Sequence, residues 1–141
     1  MGISLLAYAE KTTRTAEVLE VQGNVMIIPP EGKTTPAKAE TIITVGDTLK
    51  TQAKSYAVLQ FDGAETVTID MYAGSELLFS EFTRDNEKGT QLTLLDITTG
   101  KILVEAQEQR DENSTFQIRT PTSIVEVTNA AFVIEVETME K

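Results

Sequence analysis

Three carboxylates near the middle of the sequence have the spacing best suited to chemistry. Asp62, Glu65 and Asp70 lie around one segment that contains a turn signal. Paired carboxylates are the catalytic groups of glycoside hydrolases, where one acts as an acid and the other as a base or nucleophile. Such enzymes usually also need aromatic platforms for the sugar, and this chain has three tyrosines and no tryptophan. The sequence therefore favours a solvated turn, and hydrolysis by Asp62–Asp70 is the third of three functional hypotheses.

A second acidic group, Asp85-Asn86-Glu87, offers the oxygen ligands that Ca²⁺ prefers but lacks the spacing of a dedicated calcium loop. The chain contains no histidine and no cysteine. Zinc sites built on those ligands and the Ser-His and Cys-His nucleophile pairs are therefore excluded. Gly74-Ser75 lacks the rest of a nucleophile elbow and is interpreted as a turn between strands. We predict no catalytic, cofactor-binding or metal-binding residues.

The elements that would position these side chains are antiparallel strands within residues 45–71. Ser55–Phe61 is rich in β-favouring side chains, and the return segment Glu65–Met71 alternates apolar and polar residues. Asp62-Gly63 between them is a strong hairpin signal, because glycine allows the positive φ that tight loops require. The pattern predicts a meander that is half buried against a core.

The loop length of this hairpin decides which side chains face the core. A two-residue loop would pair Val58 with Val67, whereas a three-residue loop ending at the glycine would pair Ala57 with Val67. We prefer the second, because it leaves Tyr56 and Gln60 together on the wetter face. A change of register by one residue moves every side chain of a strand to the opposite face.

The remaining chain has the two-residue period of strands and no sustained helical period. Further strands are predicted at Ala16–Val21, Val25–Ile28, Ser75–Phe82, Gln91–Ile97, Lys101–Ala106, Thr115–Thr120, Ile124–Val127 and Phe132–Val136. Ser75–Phe82 is apolar on both faces, which is typical of a central strand, and Thr98-Thr99-Gly100 is predicted to be a turn. The fold class predicted is all-β: antiparallel strands in a two-layer sandwich or roll of about ten to twelve short strands, with little or no helix.

The first nine residues differ in kind from the rest. Ile3–Leu6 is apolar and Ala7–Ala9 is a small-x-small triplet before charged residues, which resembles the end of a secretory signal without its basic region. An ordinary N-terminal strand is the alternative. We predict that residues 1–9 are a signal remnant or a disordered N-terminus and that residues 10–141 form one domain. No other apolar run approaches the roughly 18 residues of a membrane span.

The formal charge of −10 is concentrated in the second part of the chain. Residues 1–54 carry six basic and six acidic side chains, whereas residues 55–141 carry six basic and sixteen acidic ones. An acidic surface repels phosphate backbones, so we predict no nucleic-acid partner. Without cysteines the sequence does not indicate a redox compartment.

Several short motifs occur in an order that resembles the FecR domain. They are Gly23-x-Val25, Val45-Gly46-Asp47-x-Leu49-x-Thr51, Ser55-x-Ala57-x-Leu59-x-Phe61-Asp62-Gly63, Ser75-x-Leu77-x-Phe79, Leu92-x-Leu94, Gly100-Lys101-Ile102 and Phe116-x-Ile118-x-Thr120-Pro121-x-Ser123-x-Val125-x-Val127. The resemblance covers Ala16 to Val136. It implies an all-β extracytoplasmic module, best known in regulators that pass a signal from an outer-membrane transporter to a sigma factor.

Two departures bear on what the resemblance implies. The family often has an Arg-Gly-Thr-x-Phe-like stretch where this sequence has Thr128–Phe132. The regulators also carry a sigma-binding segment and a membrane span before the domain, and a small domain after it, which we do not expect here. The resemblance therefore implies the fold and a periplasmic or secreted location, and leaves sigma-factor control open.

We expect a non-catalytic protein-interaction or sensing module of the cell envelope, without a cofactor, whose partner is an envelope protein with a basic surface. A carbohydrate-binding or cell-wall-binding domain is the alternative. A sugar binder should place Tyr8, Tyr56 or Tyr72 on one exposed face beside polar groups. A protein-binding module should show an exposed apolar patch or an open edge strand.

Overall fold

The computed structural model describes residues 11–61, 67–106, 114–128 and 130–137. These residues form strands and no helix, so the all-β prediction is confirmed. The strands are β1 (Lys11–Thr13), β2 (Ala16–Gln22), β3 (Val25–Ile28), β4 (Thr35–Pro36), β5 (Ile42–Ile43), β6 (Thr48–Thr51), β7 (Tyr56–Phe61), β8 (Val67–Met71), β9 (Glu76–Asp85), β10 (Thr90–Ala106), β11 (Thr115–Arg119), β12 (Ile124–Glu126) and β13 (Ala130–Val136). They hydrogen-bond into one continuous sheet that curls into a half-barrel.

One strand, β10, divides this sheet into two parts. Its first part, Thr90–Thr99, pairs with β9 and β11, whereas Gly100–Ala106 pairs with β8 and β13. We name sheet A the order β4-β3-β6-β9-β10-β11-β12, with β1 beside β9, and sheet B the order β5-β2-β7-β8-β10-β13. Because both sheets share β10, the fold is a roll. The predicted central strand is β9, which lies between β6 and β10.

The covalent connection after β10 requires this strand to bend. A straight strand of 17 residues would span roughly 55 Å. Only residues 107–113 separate its last residue, Ala106, from Ser114, and the Oγ of Ser114 accepts the N–H of Gln91 at 2.8 Å. A linker of that length reaches at most about 28 Å. The two ends of β10 therefore lie closer together than a straight strand allows, and the two sheets face each other across the core.

The bend lies at Gly100, where the predicted Thr98-Thr99-Gly100 turn is wrong. The strand does not reverse there; instead its register with β9 shifts between Ile97 and Thr99, and Gly100 has a φ of +108°. A Cβ on Gly100 would overlap the Cα and Oγ of Ser75. Glycine at positive φ is typical of turns and also of β-bulges, so the sequence motif does not distinguish a reversal from a bend.

Ser75 is fully buried and joins three segments at this bend. Its Oγ accepts the N–H of Lys101 at 2.9 Å and lies 2.8 Å from the carbonyl oxygen of Tyr72. Its own N–H donates to the Oγ1 of Thr51 at 2.9 Å. In the described ranges every buried side-chain nitrogen and oxygen has a partner, so these polar groups are buried without an unsatisfied donor or acceptor. Gly74-Ser75 is a turn, as predicted.

The core lies between the two sheets and contains a cluster of phenylalanines. The ring of Phe61 in sheet B packs edge-on against Phe82 in sheet A, with centroids 4.9 Å apart, and lies 5.5 Å from Phe116. The guanidinium of buried Arg14 lies 4.5 Å from the Phe82 centroid, and its Nη1 donates to the Oγ1 of Thr93 at 2.8 Å. The cation is thus placed over aromatic faces, where ring quadrupoles attract it.

The register of β7 with β8 corrects one prediction and leaves another intact. Ala57 pairs with Met71, so the predicted pairing of Ala57 with Val67 is wrong. The faces are nevertheless as predicted: Ala57 and Val67 are buried, whereas Tyr56 and Gln60 lie on the solvent side. A register difference of an even number of residues keeps each side chain on its face, which explains both outcomes.

The pairing of β10 with β11 is parallel, unlike the antiparallel arrangement predicted for the sheet. It becomes possible because β10 bends away into sheet B, so the returning chain enters beside the first half of β10. The Arg119 guanidinium holds Asp96 across this pair with contacts of 2.5 and 2.8 Å, and the Ser80 hydroxyl donates to the same carboxylate at 2.5 Å. The hydrogen bond from Arg119, reinforced by that from Ser80, lowers the pKa of Asp96.

Two predicted regions, residues 1–9 and the Asp62-Gly63 turn, lie outside the described residues. In the part of the chain that is described, no helix is long and apolar enough to cross a membrane.

Substitution of Gly100 should destabilise the fold more than substitution of a glycine that has a positive φ but no close contact at the position of a Cβ. Gly74 (φ +72°) has no atom within 4 Å of an added Cβ, so Gly74→Ala should cost about 1–2 kcal/mol from backbone strain. Gly100→Ala adds an overlap with Ser75 and should cost about 1–3 kcal/mol more. Urea denaturation of both variants measures the difference, and equal midpoints would contradict the proposed role of the close contact.

Removal of the Arg119 guanidinium should weaken the fold at neutral pH and much less in acid. A carboxyl group whose pKa is lowered by folding stabilises the protein above its unfolded pKa, and this contribution disappears as the pH falls through the folded pKa. Arg119→Met should therefore lower the melting temperature near neutral pH and have little effect near pH 2. Lys88→Met in the exposed β9–β10 turn is the control. A decrease in the melting temperature of Arg119→Met that does not depend on pH would contradict the assignment of this stabilisation to the Arg119–Asp96 pair.

Candidate functional site

The three candidate catalytic carboxylates are not all described by the structure. Asp62 and Glu65 lie outside the described residues, and Asp70 lies on the solvent side of β8. The Oδ2 of Asp70 accepts the hydroxyl of Tyr56 at 2.8 Å. The described member of the group is thus bound to a phenol, and the hydrolase hypothesis gains no support from this geometry.

The predicted calcium candidate closes a turn. Asp85 Oδ1 accepts the backbone N–H groups of Glu87 at 3.0 Å and Lys88 at 3.2 Å. A side chain that bonds its own backbone two or three residues on is typical of an Asx turn. Asn86 lies in the same turn. Across the described ranges, no three His, Cys, Asp or Glu side chains are grouped so that they could hold a metal ion.

The outer face of sheet B carries a row of side chains that crosses five strands. Pairing places Glu20 beside Val58, Val58 beside Asp70, Asp70 beside Leu103, and Leu103 beside Val133. Val58 and Leu103 are half-buried, and Val133 is 55% exposed. We call this set the central row. It gives the outer face a largely aliphatic centre, in which Asp70 lies between Val58 and Leu103.

Tyr56 and Tyr72, the two described tyrosines of the sugar-binding hypothesis, lie next to the central row. The rings of Tyr56 and Tyr72 are 5.7 Å apart and tilted by 48°. The Lys101 ammonium lies 5.1 Å from the Tyr72 ring centroid, and Lys101 itself is paired with Glu135 on β13. The hydroxyl of Tyr56 is held by Asp70. Two aromatic residues and their polar neighbours therefore share one surface, as proposed for a sugar binder.

Acidic side chains surround this apolar centre. Glu17 and Glu105 lie on one side of the central row, and Glu135 lies on the other, beside Lys101. Glu20 ends the row on β2. We name the whole surface, from β2 to β13, the outer face of sheet B. Its charge is negative, in keeping with the acidic second part of the chain.

Tyr56 and Tyr72 were predicted from the sequence as candidate binding residues, whereas the aliphatic side chains of the central row were not. Val58 and Leu103 occupy outward positions of strands whose inward positions are also apolar. The sequence signal that could have identified them is an aliphatic residue at an outward position of a strand. Its meaning depends on which strands are neighbours, because single exposed aliphatic residues are common and only a contiguous patch indicates a binding surface.

The Tyr56–Asp70 pair should give the phenol an unusual titration. The hydrogen bond to the Asp70 carboxylate, together with burial and the charge of Asp70, raises the pKa of Tyr56 to about 12. A phenol whose pKa is raised by folding stabilises the fold below its unfolded value of about 10, and this contribution is lost as the pH rises through the folded value.

Asp70→Ala should therefore lower the pKa of Tyr56 and remove part of the loss of stability at alkaline pH. Titration of the tyrosine Cζ resonances measures the first effect. Glu105→Ala, on the same face, is the control and should leave the Tyr56 resonance unchanged. A Tyr56 pKa that is the same with and without Asp70 would rule out the pair as the cause.

Comparison with known proteins gives one match. The family model described as "FecR protein" matches residues 47–141, which is more than half of the chain. Searches of curated proteins and of solved structures gave no match. The matched range begins at the motif that contains Asp47 and Leu49 and includes β6 to β13, so it covers four of the five strands of the outer face of sheet B. The resemblance found in the sequence is confirmed, and the chain belongs to the FecR protein family.

Proposed function

We propose that this protein is a non-catalytic interaction module of the cell envelope that binds a protein partner through the outer face of sheet B. The observation that carries the proposal is the central row, in which Leu103 and Val133 are adjacent aliphatic residues and Val58 lies beyond Asp70. Family membership supports a signalling or sensing role in the envelope, because the FecR family is regulatory. The proposal includes an extracytoplasmic location, which the same membership and the signal-like residues 1–9 support.

The composition of this face matches the usual anatomy of a protein interface. Interfaces have a centre depleted in charge and enriched in aromatic residues, with a polar rim. Here Tyr56 and Tyr72 lie beside the aliphatic side chains of the central row, and the rim has Glu17, Glu105 and Glu135. Asp70, which lies within the row, accepts the hydroxyl of Tyr56. Acidic rims accelerate association with basic partners and have less effect at high salt. A partner with an apolar patch and a basic rim would fit.

Carbohydrate binding is the second candidate, and the tyrosine pair is the observation that favours it. Sugars stack on flat, accessible aromatic faces, and Tyr56 and Tyr72 share a surface with Asp70 and Lys101. The rings are tilted by 48°, and the Lys101 ammonium lies over one of them. They do not form one flat platform, so protein binding is the better supported of the two.

Leu103→Thr should abolish capture of the partner from an envelope extract, because it removes the central apolar contact and keeps a strand-forming side chain. Loss of an aliphatic side chain from an interface centre costs about 1.5–3 kcal/mol, which corresponds to more than a tenfold loss of affinity. The immobilised protein and its variant are presented to the extract, and the retained proteins are identified by mass spectrometry. Raising the salt should slow association of the retained protein more than it speeds release.

Ile42→Thr is the matched control, since Ile42 is 52% exposed and lies on β5 at the far edge of sheet B. It should retain the same protein as the parent. Retention that is unchanged in Leu103→Thr would contradict the proposed face. Retention of glycan strands alone, lost in Tyr72→Ala, would establish the carbohydrate function instead. Turnover of a sugar substrate, lost in Asp62→Asn, would establish an enzyme.

A further inference from the structure

The edges of the curled sheet differ strongly in length and composition. Within the described ranges β4 and β5 have two residues each, and β1 and β12 have three each. β4 also ends in a proline. Short strands, proline and lysine are the devices by which proteins prevent pairing at an exposed edge. β13 has seven residues, Ala130–Val136, and contains none of them.

The second edge of β13 pairs with no other strand in the part of the chain that the structure describes. Among the described residues β13 pairs with β10 alone, in an unbroken register from Gly100–Val136 to Ala106–Ala130. An edge strand presents a row of backbone N–H and C=O groups that can pair with another chain. Seven residues of strand offer about 23 Å of such an edge.

A groove of about 550 Å³ runs beside this edge. One wall is β13, with Val133 and Val136, and the other is Val125 of β12 with the turn at residues 120–123. This turn is held by its own hydrogen bonds, in which the N–H of Thr120 donates to the carbonyl oxygen of Ser123 at 2.8 Å. The groove is therefore bounded by two ordered walls and has an apolar lining.

The charges of the groove favour a basic occupant. Glu135 and Glu137 are exposed residues in its lining, and the described residues that line it include no lysine or arginine. A second copy of the chain would bring the same carboxylates and a net charge of −10 to the contact. A helix would leave the edge N–H and C=O groups of β13 unpaired, whereas an extended segment would pair with them.

We propose that β13 accepts an extended segment of a partner protein as an added strand, with alternating apolar and basic residues. The apolar side chains would enter the groove on the inner side of β13, beside Val125 and Val136, and the basic ones would lie on the outer side near Glu135 and Glu137. The inference deepens the proposed function by naming the kind of segment that binds. Val133 belongs both to this groove and to the central row, so one partner would contact the two surfaces together.

The probe is a synthetic eight-residue peptide in which valine and lysine alternate, with a fluorescent label. Its control has the same composition, with the valines and lysines in separate blocks. Fluorescence anisotropy at low salt should show binding of the alternating peptide at least tenfold tighter than that of the block peptide. Equal affinities, or no binding of the alternating peptide, would overturn the proposal.

N-methylation tests whether the backbone makes the contact. In an added strand, alternate N–H groups point towards β13 and the others point away. One peptide is methylated on its odd backbone nitrogens and a second on its even ones. Only one of them should lose binding, by tenfold or more. Equal loss or equal retention in both peptides would indicate binding through side chains and would overturn strand addition.

Charge reversal locates the peptide on the protein. Glu135→Lys and Glu137→Lys should each weaken binding several-fold at low salt, with a smaller effect at high salt. Glu31→Lys, in the exposed loop between β3 and β4, has the same charge change and should bind like the parent. Equal effects at all three positions would mean that only net charge matters and would overturn the site. Dimerisation of the parent protein through β13, detected by sedimentation and abolished by Glu135→Pro and Val136→Pro tested singly, would assign the edge to a second copy.

The two proposals fail in different ways. If the extract partner is lost in Leu103→Thr but kept in Glu135→Lys, and the alternating peptide does not bind, the outer face is the docking surface and strand addition is wrong. If the peptide binds with the expected N-methyl pattern while Leu103→Thr keeps its partner, β13 is a binding edge and the proposed outer face is wrong.

Discussion

The close contact between Gly100 and Ser75 is the constraint on which the rest of the structure depends. It places the backbone of β10 against a fully buried serine, at a distance that a Cβ would not allow. There β10 leaves sheet A and enters sheet B, and the phenylalanines of the two sheets meet in one core. A buried serine is tolerated because its Oγ and N–H are bonded to Lys101 and Thr51. The close packing of Gly100 and the hydrogen bonds that satisfy Ser75 thus occur at the same point of the fold.

The bend also determines the surface at which we place function. β11 lies along the first half of β10 and β13 along the second half, on the same side of the strand. When β10 bends, these two neighbours separate, and the groove between β12 and β13 is the space that results. The same bend leaves β13 as the last strand of sheet B, with one edge unpaired among the described residues. The binding edge is therefore a consequence of the core geometry at Gly100.

Strand faces and the pairing of β7 with β8 could be predicted from the sequence, whereas the register and the neighbours of strands distant in the sequence could not. The two-residue period placed Ala57 and Val67 inward correctly, because alternation is a local property. The partner of Ala57 is Met71 rather than Val67, because register depends on the turn and on all neighbouring strands. The local sequence around Gly100 is compatible with a bend and with a turn, so it does not distinguish the two. The candidate site was the least predictable feature, because a contiguous patch or an open edge can be recognised only when the neighbours of each strand are known.

The acidic surface opposes self-association at the open edge of β13. A seven-residue edge without proline or lysine invites pairing between copies, and aggregation is the usual result. Here each copy carries a charge of −10, and Glu135 and Glu137 lie along the edge itself, so approach of a second copy is opposed electrostatically. The same carboxylates attract a basic segment. One set of charges therefore rejects the chain's own copies and selects the opposite charge in a partner, which is how specificity arises from repulsion as well as attraction. An edge protected by proline would have avoided self-association too, but it would have closed the binding site.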